Sequence, residues 1–264
     1  MVVSDIDGTL ITREGIVTET TIKTIEKLKE RGILFATISA RSKKNSEIIF
    51  NNYSSLCDSQ GYVNGGYVIA DNETIMDERI DNEIVSEIYY MLNDLGVSFC
   101  YVSVNEAFAL VKNEAFSRIF HLYHQGYGDL KKEFPVNIPI YLIAIYGEHG
   151  KVSLLGDYIE SNAGLITSSP IIFSPKTQND FQLIQPATAD KGKALTRISE
   201  YYSIPLKNIM VFGDGIWNDL PMMKLAGKAV AMKNARGNLK DHTHDVTMYN
   251  NNEDGVARYL FPFI

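Results

Sequence analysis

Towards both ends of the chain, the pattern of apolar and polar residues predicts strands that alternate with helices. A short apolar strand precedes Asp5, and residues 18–31 carry apolar side chains at helical spacing after a capping threonine. Residues 33–38 form a continuous apolar run, which is typical of a strand buried on both faces. A strand, a helix and a strand in this order predict a parallel βαβ unit with a right-handed crossover. The same rhythm resumes from Ala189 towards the end of the chain.

The middle of the chain follows a different pattern. Amphipathic helices are predicted at 82–95 and 151–161, and strand-forming runs at 98–102, 107–111, 139–146, 165–166 and 181–184. Helices next to several strands, without βαβ alternation, are typical of an α+β unit on an antiparallel sheet. We therefore predict an α/β fold in which residues 1–79 and 184–264 form a Rossmann-like core with a parallel sheet. Residues 80–183 are expected to form an α+β domain inserted in that core.

The first predicted strand ends in a pair of acids. Asp5 and Asp7 follow it, and Gly8 and Thr9 then turn the chain. Two carboxylates this close repel each other unless a cation or a shared proton relieves them, and Mg²⁺ prefers oxygen ligands. The segment favours a Mg²⁺ site at the ligand-binding edge of the sheet, although these residue types also form ordinary surface turns. Only four residues precede Asp5, so we expect either an unusually short central strand or a natural chain that begins earlier.

Two further loops place polar residues after predicted strands. Ser39, Ala40 and Arg41 follow the second strand, where a hydroxyl and a guanidinium could hold a phosphate, although the serine could equally cap the next helix. Asn64 and Gly65 follow the third strand, where this residue pair indicates a turn first and a ligand-binding loop second.

The C-terminal part supplies a lysine and a second acidic loop. Lys191 begins a predicted helix, where its charge opposes the helix dipole unless an anion lies nearby; a solvated lysine is the alternative. Residues 213–219 follow an apolar strand and contain Asp214, Asn218 and Asp219, with glycines that allow a close approach of the backbone. An Asp-Gly turn alone is common, but two acidic loops after strands of one α/β chain favour a shared site.

Composition narrows the class of protein. The 264 residues are 45% hydrophobic and 22% charged, with a formal net charge of −7, which argues against nucleic-acid binding through a basic surface. The chain shows neither a membrane-spanning run nor a signal-peptide pattern, and Cys57 and Cys100 are too far apart to suggest a disulfide framework or a zinc site. His121 and His124 lack matched acids or cysteines. We expect a cytoplasmic protein, monomeric or weakly dimeric, with no nucleic-acid or membrane partner.

Taken in order, these segments resemble the haloacid dehalogenase superfamily, and more narrowly the Cof-type phosphatases of subclass IIB, over nearly the whole chain. Residues 5–10 (Asp-Ile-Asp-Gly-Thr-Leu) are similar to the first motif of that family, D-x-D-G-T-L. Residues 39–41 stand where the family usually has Thr-Gly-Arg, Lys191 with Gly192 is similar to the third motif, and residues 213–219 are similar to the fourth. The resemblance implies that residues 80–183 are a cap that closes over the core and selects the substrate.

The resemblance also implies roles for single residues. Asp5 would be the nucleophile that forms an aspartyl-phosphate, and Asp7 the general acid and base. Mg²⁺ would be held by the Asp5 carboxylate, the Asp7 backbone carbonyl and Asp214, with Asp219 as a further metal candidate. Ser39 and Lys191 would hold the phosphoryl oxygens. The remaining candidates for substrate or phosphate binding are Ala40, Arg41, Asn64, Gly65 and Asn218.

This sequence departs from the family pattern in two places. Ser39-Ala40 keeps the hydroxyl of Thr-Gly but adds a methyl group to the loop. The fourth motif is one residue longer than the common G-D-x-x-N-D, which leaves open whether Asn218 or Asp219 serves the metal site.

The leading functional hypothesis is a Mg²⁺-dependent phosphatase of small phosphorylated metabolites, in particular sugar phosphates. Two alternatives stay open. Phosphomutases of similar architecture return the phosphoryl group to the substrate, and a protein of the same fold could bind a phosphorylated ligand without catalysis. The intact acids and Lys191 favour an enzyme, whereas the longer fourth motif keeps the non-catalytic alternative open.

Overall fold

The protein is described here as a computed structural model, which covers residues 1–50, 54–111, 114, 116, 138–161, 164–167 and 178–264. In chain order its strands are β1 Val2–Ser4, β2 Phe35–Ile38, β3 Ser59–Tyr62, β4 Tyr67–Ala70, β5 Glu73–Asp77, β6 Ser98–Val102, β7 Ala107–Leu110, β8 Leu142–Glu148, β9 Leu165–Thr167, β10 Asn179–Pro186, β11 Met210–Gly213, β12 Lys228–Ala231 and β13 Asp245–Val246. The helices are α1 Glu19–Glu30, α2 Lys43–Ile49, α3 Asn82–Leu95, α4 His149–Ser161, α5 Lys191–Tyr201, α6 Leu220–Leu225 and α7 Gly255–Leu260.

These elements form two compact units. One contains Met1–Ala40, Ser46–Asp77 and Asp190–Ile264, and the other contains Arg41–Asn45 and Glu78–Ala189. The second unit ends at the boundary 189/190 rather than at the predicted 183/184, because β10 continues to Pro186 and pairs there with β9. The role of the second unit as a cap stays a prediction.

The first unit is built on an eight-stranded sheet. Its strand order is β13-β12-β11-β1-β2-β3-β4-β5, and every pair from β13 to β3 is parallel. The last two pairs are antiparallel, and Asp71 and Asn72 form the hairpin turn between β4 and β5 with φ of 47° and 68°. The central strand β1 has only three residues, yet it pairs on both sides.

Helices cover both faces of this sheet. Val2 and Val3 are buried and point to opposite faces because strand side chains alternate. Val2 belongs to a core that includes apolar residues of α1 and α7, and Val3 to a second core that includes those of α5 and α6. This three-layer arrangement confirms the predicted α/β core with a mainly parallel sheet.

The second unit is an α+β structure on an antiparallel sheet of order β7-β6-β8-β10-β9. Its core joins Ile143, Ile145 and Ile184 of the sheet to apolar residues of α3 and α4. Strand β8 begins at Leu142 and extends to Glu148, later than the predicted 139–146, since its last residues pair with the start of β10. Predictions for residues 117–134, including His121 and His124, lie outside the described residues. Within the described part of the chain, no helix is long and apolar enough to cross a membrane.

Candidate active site

The two acidic loops lie side by side because the strands that precede them are neighbours. Strand β1 pairs in parallel with β11, with Ser4 opposite Phe212. The Asp5 N–H donates a hydrogen bond to the Phe212 carbonyl at 3.0 Å. Asp5 and Asp214 therefore leave the same edge of the sheet, although more than 200 residues separate them in the chain.

The turn after Asp5 depends on Gly8. This residue has φ of 73°, and a Cβ atom there would lie 2.5 Å from Oδ2 of Asp214. Both the backbone conformation and the space therefore require glycine. The next residue, Thr9, donates a hydrogen bond to Asp5 Oδ2 at 3.3 Å. The turn thus brings the nucleophile candidate and Asp214 together.

Lys191 is the buried cation of the site. It has no exposed surface, and its Nζ lies 2.5 Å from Asp5 Oδ1 and 2.6 Å from Asp219 Oδ1. Burial by itself would lower the pKa of Lys191, but the carboxylates of Asp219 and Asp5 outweigh it and raise that pKa above its usual value. The ammonium charge at the start of α5 is therefore balanced by two nearby carboxylates, and Lys191 is not a solvated lysine.

Asp219 holds the second acidic loop together. Its Oδ2 accepts hydrogen bonds from the backbone N–H groups of Asp214 at 2.9 Å and Gly215 at 2.8 Å. Asp219 is fully buried, whereas Asn218 is half-buried and Trp217 is 55% exposed. Within the longer fourth motif Ile216 is buried in the core and only Trp217 is exposed, and Asp219 rather than Asn218 contacts Lys191.

Carboxylate oxygens of Asp5, Asp214 and Asp219 all lie within 4.8 Å of one another. Burial, followed by repulsion from neighbouring acids, raises the pKa of Asp5 well above its usual range despite the nearby Lys191. Burial and the Asp219 charge likewise raise the pKa of Asp214 to about 6. This excess of negative charge on closely spaced oxygens suits a hard divalent cation such as Mg²⁺. The carboxylate of Asp7 is not part of this group of three.

The structure places the predicted phosphate-binding loops near the ends of β2 and β3. Ser39 is buried, its N–H donates to Gly61, and its carbonyl accepts a hydrogen bond from the Asn64 N–H at 2.9 Å. Gly65 has φ of 90°, and a Cβ there would lie 2.5 Å from the Asp190 carbonyl oxygen. The Asn64–Gly65 turn thus packs against the residue that precedes Lys191. Phosphate binding by these residues stays a prediction.

The remaining candidates for substrate binding are Ala40, Arg41 and Asn218. Arg41 belongs to the second compact unit. Ala40 belongs to the first, in which it ends the segment Met1–Ala40. The Asn218 side-chain oxygen lies against Gly215, since a Cβ at Gly215 would approach it to 2.2 Å. Contacts of these three residues with substrate stay predictions.

Several residues at the site were given no role by the sequence analysis. The Asn234 side chain donates to the Gly8 carbonyl at 2.7 Å, and the Arg236 N–H donates to the Asp214 carbonyl at 2.8 Å. Arg236 Nε also lies 3.7 Å from Asp214 Oδ2. These contacts depend on the β11–β12 pairing. In the sequence, a turn at 234–235 follows a predicted strand at 230–232, and residues 230–235 are similar to the family, but neither signal assigned a contact.

The site therefore belongs to a doubly wound α/β fold with a carboxylate cluster at the carboxyl edge of its sheet. A model of the haloacid dehalogenase-like hydrolase family matches residues 2–260. The 5-amino-6-(5-phospho-D-ribitylamino)uracil phosphatase YitU of Bacillus subtilis is 25% identical over 276 residues, which cover 98% of this chain and 96% of YitU. The chain belongs to the haloacid dehalogenase-like hydrolases.

Solved structures agree with this fold. A haloacid dehalogenase-like hydrolase from Bacteroides thetaiotaomicron has a TM-score of 0.84 at 23% identity, over 100% of this chain and 98% of that one. The subclass IIB sugar phosphatase BT4131 has a TM-score of 0.80 at 23% identity, over 99% and 98% of the two chains. The predicted family and fold are confirmed, and the chain is an enzyme of a family whose curated relatives include phosphatases.

Proposed function

We propose that the protein is a Mg²⁺-dependent phosphatase of small phosphorylated metabolites that works through a phosphorylated Asp5. The observation that carries this proposal is the buried Asp5 carboxylate, whose Oδ1 lies 2.5 Å from Lys191 Nζ at the carboxyl edge of the sheet. The lysine orients this carboxylate, and because both groups are buried, water does not separate the ion pair. The family membership of the chain supports the same chemistry.

In the first half-reaction an Asp5 oxygen attacks the phosphorus of the monoester, and the bond from phosphorus to the alcohol oxygen breaks. Asp7, half-buried beside the nucleophile, donates its proton to the leaving alkoxide. In the second half-reaction Asp7 takes a proton from water, whose oxygen attacks the aspartyl-phosphate and releases inorganic phosphate. Lys191 keeps Asp5 in place and offsets charge on the transferring oxygens. Ser39 is assigned to one of those oxygens.

The residues that would hold Mg²⁺ are Asp5, Asp214 and the Asp7 backbone carbonyl. When bound, the cation would offset the repulsion between an anionic nucleophile and an anionic substrate. Asp219 is a weaker candidate for direct contact, since its two oxygens already accept three hydrogen bonds, from Lys191, Asp214 and Gly215. We assign it the task of positioning Lys191 and the Asp214 loop.

Sugar phosphates are the proposed substrate class. The support is the name of one relative, a phosphatase of a phosphoribityl compound, and that of one structural neighbour, a sugar phosphatase. The second unit is proposed to act as the cap that selects the leaving group. The cytoplasmic location and the monomeric or weakly dimeric state stay predictions.

The test is phosphate release from an aryl phosphate with Mg²⁺, with wild type compared with Asp5→Asn. We expect release by wild type and a loss of at least about 1,000-fold in the variant, because the nucleophile is removed. Equal rates would point to a contaminant or another nucleophile. Absence of release by wild type, with phosphate-ester binding retained, would favour the non-catalytic alternative. Exchange between hexose monophosphates primed by a bisphosphate, without net phosphate release, would favour the phosphomutase.

A further inference from the structure

Arg236 is a cation at the edge of the carboxylate cluster for which the proposed mechanism has no use. It follows β12, and its Nε lies 3.7 Å from Asp214 Oδ2. Its side chain is 77% exposed, whereas Asp214 beside it is buried. The guanidinium is therefore exposed to solvent directly beside a buried acid of the cluster.

The backbone of Arg236 is fixed to the acidic loops. Its N–H donates to the Asp214 carbonyl at 2.8 Å. Two residues earlier, Asn234 donates to the Gly8 carbonyl at 2.7 Å and accepts a hydrogen bond from the Asn251 N–H at 3.1 Å. The base of the Arg236 side chain is thus held on both acidic loops, which defines where its charged end can reach.

The contact with Asp214 does not use up the hydrogen-bonding capacity of Arg236. A guanidinium has five N–H donors in a planar fork, and a charge-assisted hydrogen bond to a carboxylate is usually 2.7–2.9 Å long. The 3.7 Å separation from Asp214 Oδ2 is an ion pair without such a bond. The two short contacts of Lys191 Nζ are with Asp5 and Asp219 rather than with Asp214. Arg236 therefore offsets charge on Asp214, and it still has N–H donors that this ion pair does not use.

We propose that Arg236 binds a second anionic group of the substrate, a carboxylate beyond the phosphoryl group that is transferred. This inference rests on the proposed phosphatase function and adds a substrate class to it. A guanidinium matches the planar oxygens of a carboxylate or the edge of a phosphate, which a lysine ammonium does not. All residues that carry the inference belong to the first compact unit, so part of the substrate choice lies in the catalytic core.

The test compares substrates that differ in one anionic group. The pairs are 3-phosphoglycerate with glycerol 3-phosphate, and 6-phosphogluconate with sorbitol 6-phosphate, at saturating Mg²⁺. We expect wild type to prefer the acid in at least one pair. Arg236→Gln should lower kcat/KM for that acid about tenfold, mainly through KM, because one charged hydrogen bond at an exposed position is lost. The partner without the second anion should change less than twofold, and Arg236→Lys should recover part of the preference.

Arg197→Gln is the matched control. Arg197 is an exposed arginine of the same unit that pairs with Glu200 on α5 and donates to the Ile75 carbonyl, so its loss tests charge and folding alone. The control should leave the substrate preference unchanged. An equal loss for both members of a pair in Arg236→Gln would mean that Arg236 only balances Asp214. No preference in wild type for either acid would also overturn the proposal.

A binding measurement separates this proposal from the proposed function. Calorimetric titration of Asp5→Asn with the four phosphate esters should show about tenfold tighter binding of the preferred acid, and the double variant Asp5→Asn/Arg236→Gln should lose the difference. If wild type releases no phosphate but this difference is present, the phosphatase proposal fails and the role of Arg236 stands. If wild type is active and the difference is absent, the role of Arg236 fails alone.

Discussion

The two carboxylate oxygens of Asp219 have different partners. One oxygen contacts Lys191 Nζ, and the other accepts two backbone N–H groups of the loop that carries Asp214. Because Asp219 is fully buried, water cannot take the place of its carboxylate in these contacts without entering the site. Asp219 therefore connects the lysine to the second acidic loop, and its removal should disturb both.

We predict that Asp219→Asn lowers kcat about 100-fold and the free energy of unfolding by about 2 kcal/mol. An amide oxygen can still accept from one partner, but the charged contact with Lys191 is lost. The measurements are steady-state kinetics with an aryl phosphate and urea unfolding. Asn218→Ala is the control, since Asn218 is half-buried outside the carboxylate group. A larger loss in Asn218→Ala than in Asp219→Asn would contradict the assignment.

The sequence was informative about single residues where chemistry restricts the residue type. The two acidic loops with Asp5 and Asp214 were predicted to share a site because each follows a strand, and the resemblance to the family implied that Lys191 joins them; the structure brings all three together. Arg236 carried no comparable signal. An exposed arginine in a loop is common, and only the close approach to Asp214 distinguishes it.

Among the elements, helix α5 has its position fixed at its first turn. Gly65 lies in a left-handed conformation with φ of 90°, and a Cβ there would meet the Asp190 carbonyl at 2.5 Å and the Ala194 Cβ at 3.0 Å. The turn at 64–65 and the start of α5 are therefore in direct contact. Since Lys191 is the first residue of that helix, a shift of the helix start would move Nζ away from Asp5.

We predict that Gly65→Ala lowers the free energy of unfolding by about 3 kcal/mol and also reduces kcat. Gly32→Ala is the control, because Gly32 has φ of 70° but no atom within 4 Å of the added methyl group. It should cost about 1 kcal/mol, from backbone strain alone, and leave kcat unchanged. Thermal unfolding and kinetics on both variants separate strain from displacement. Equal effects in the two variants would show that the contact with α5 has no role.

Elements with a strong local pattern were predicted closely. Helix α3 was predicted at its observed bounds, and Asp81, which accepts from the Glu83 N–H, and Gly96, with φ of 67°, account for its two ends. Strand β10 was predicted only at 181–184, although it runs from Asn179 to Pro186. Its outer residues include the buried Asp180 and Gln185, which pair through the backbone and carry no apolar signal.

At the scale of the whole molecule, strand order could not be derived from periodicity. The pattern predicted parallel strands but not that β1 would lie between β2 and β11. That adjacency joins the first and last thirds of the chain, and local patterns do not report contacts of such long sequence separation. The shared site was predicted instead from two acidic loops that each follow a strand of one α/β chain.

The cluster of Asp5, Asp214 and Asp219 lies wholly within the first compact unit, so a bound cation should stabilise that unit as a whole. We predict that treatment with EDTA abolishes phosphatase activity and that Mg²⁺ restores it.

At a free concentration 100 times its Kd, Mg²⁺ should add about 2.7 kcal/mol to the stability of the unit, which corresponds to a rise in Tm of about 5 °C. Asp214→Asn should remove most of this rise, because it replaces a carboxylate ligand and relieves repulsion in the metal-free protein. Asp245→Asn, on an exposed acid of the same unit, is the control and should keep the full Mg²⁺ response. A rise in Tm of the same size in Asp214→Asn would place the cation elsewhere.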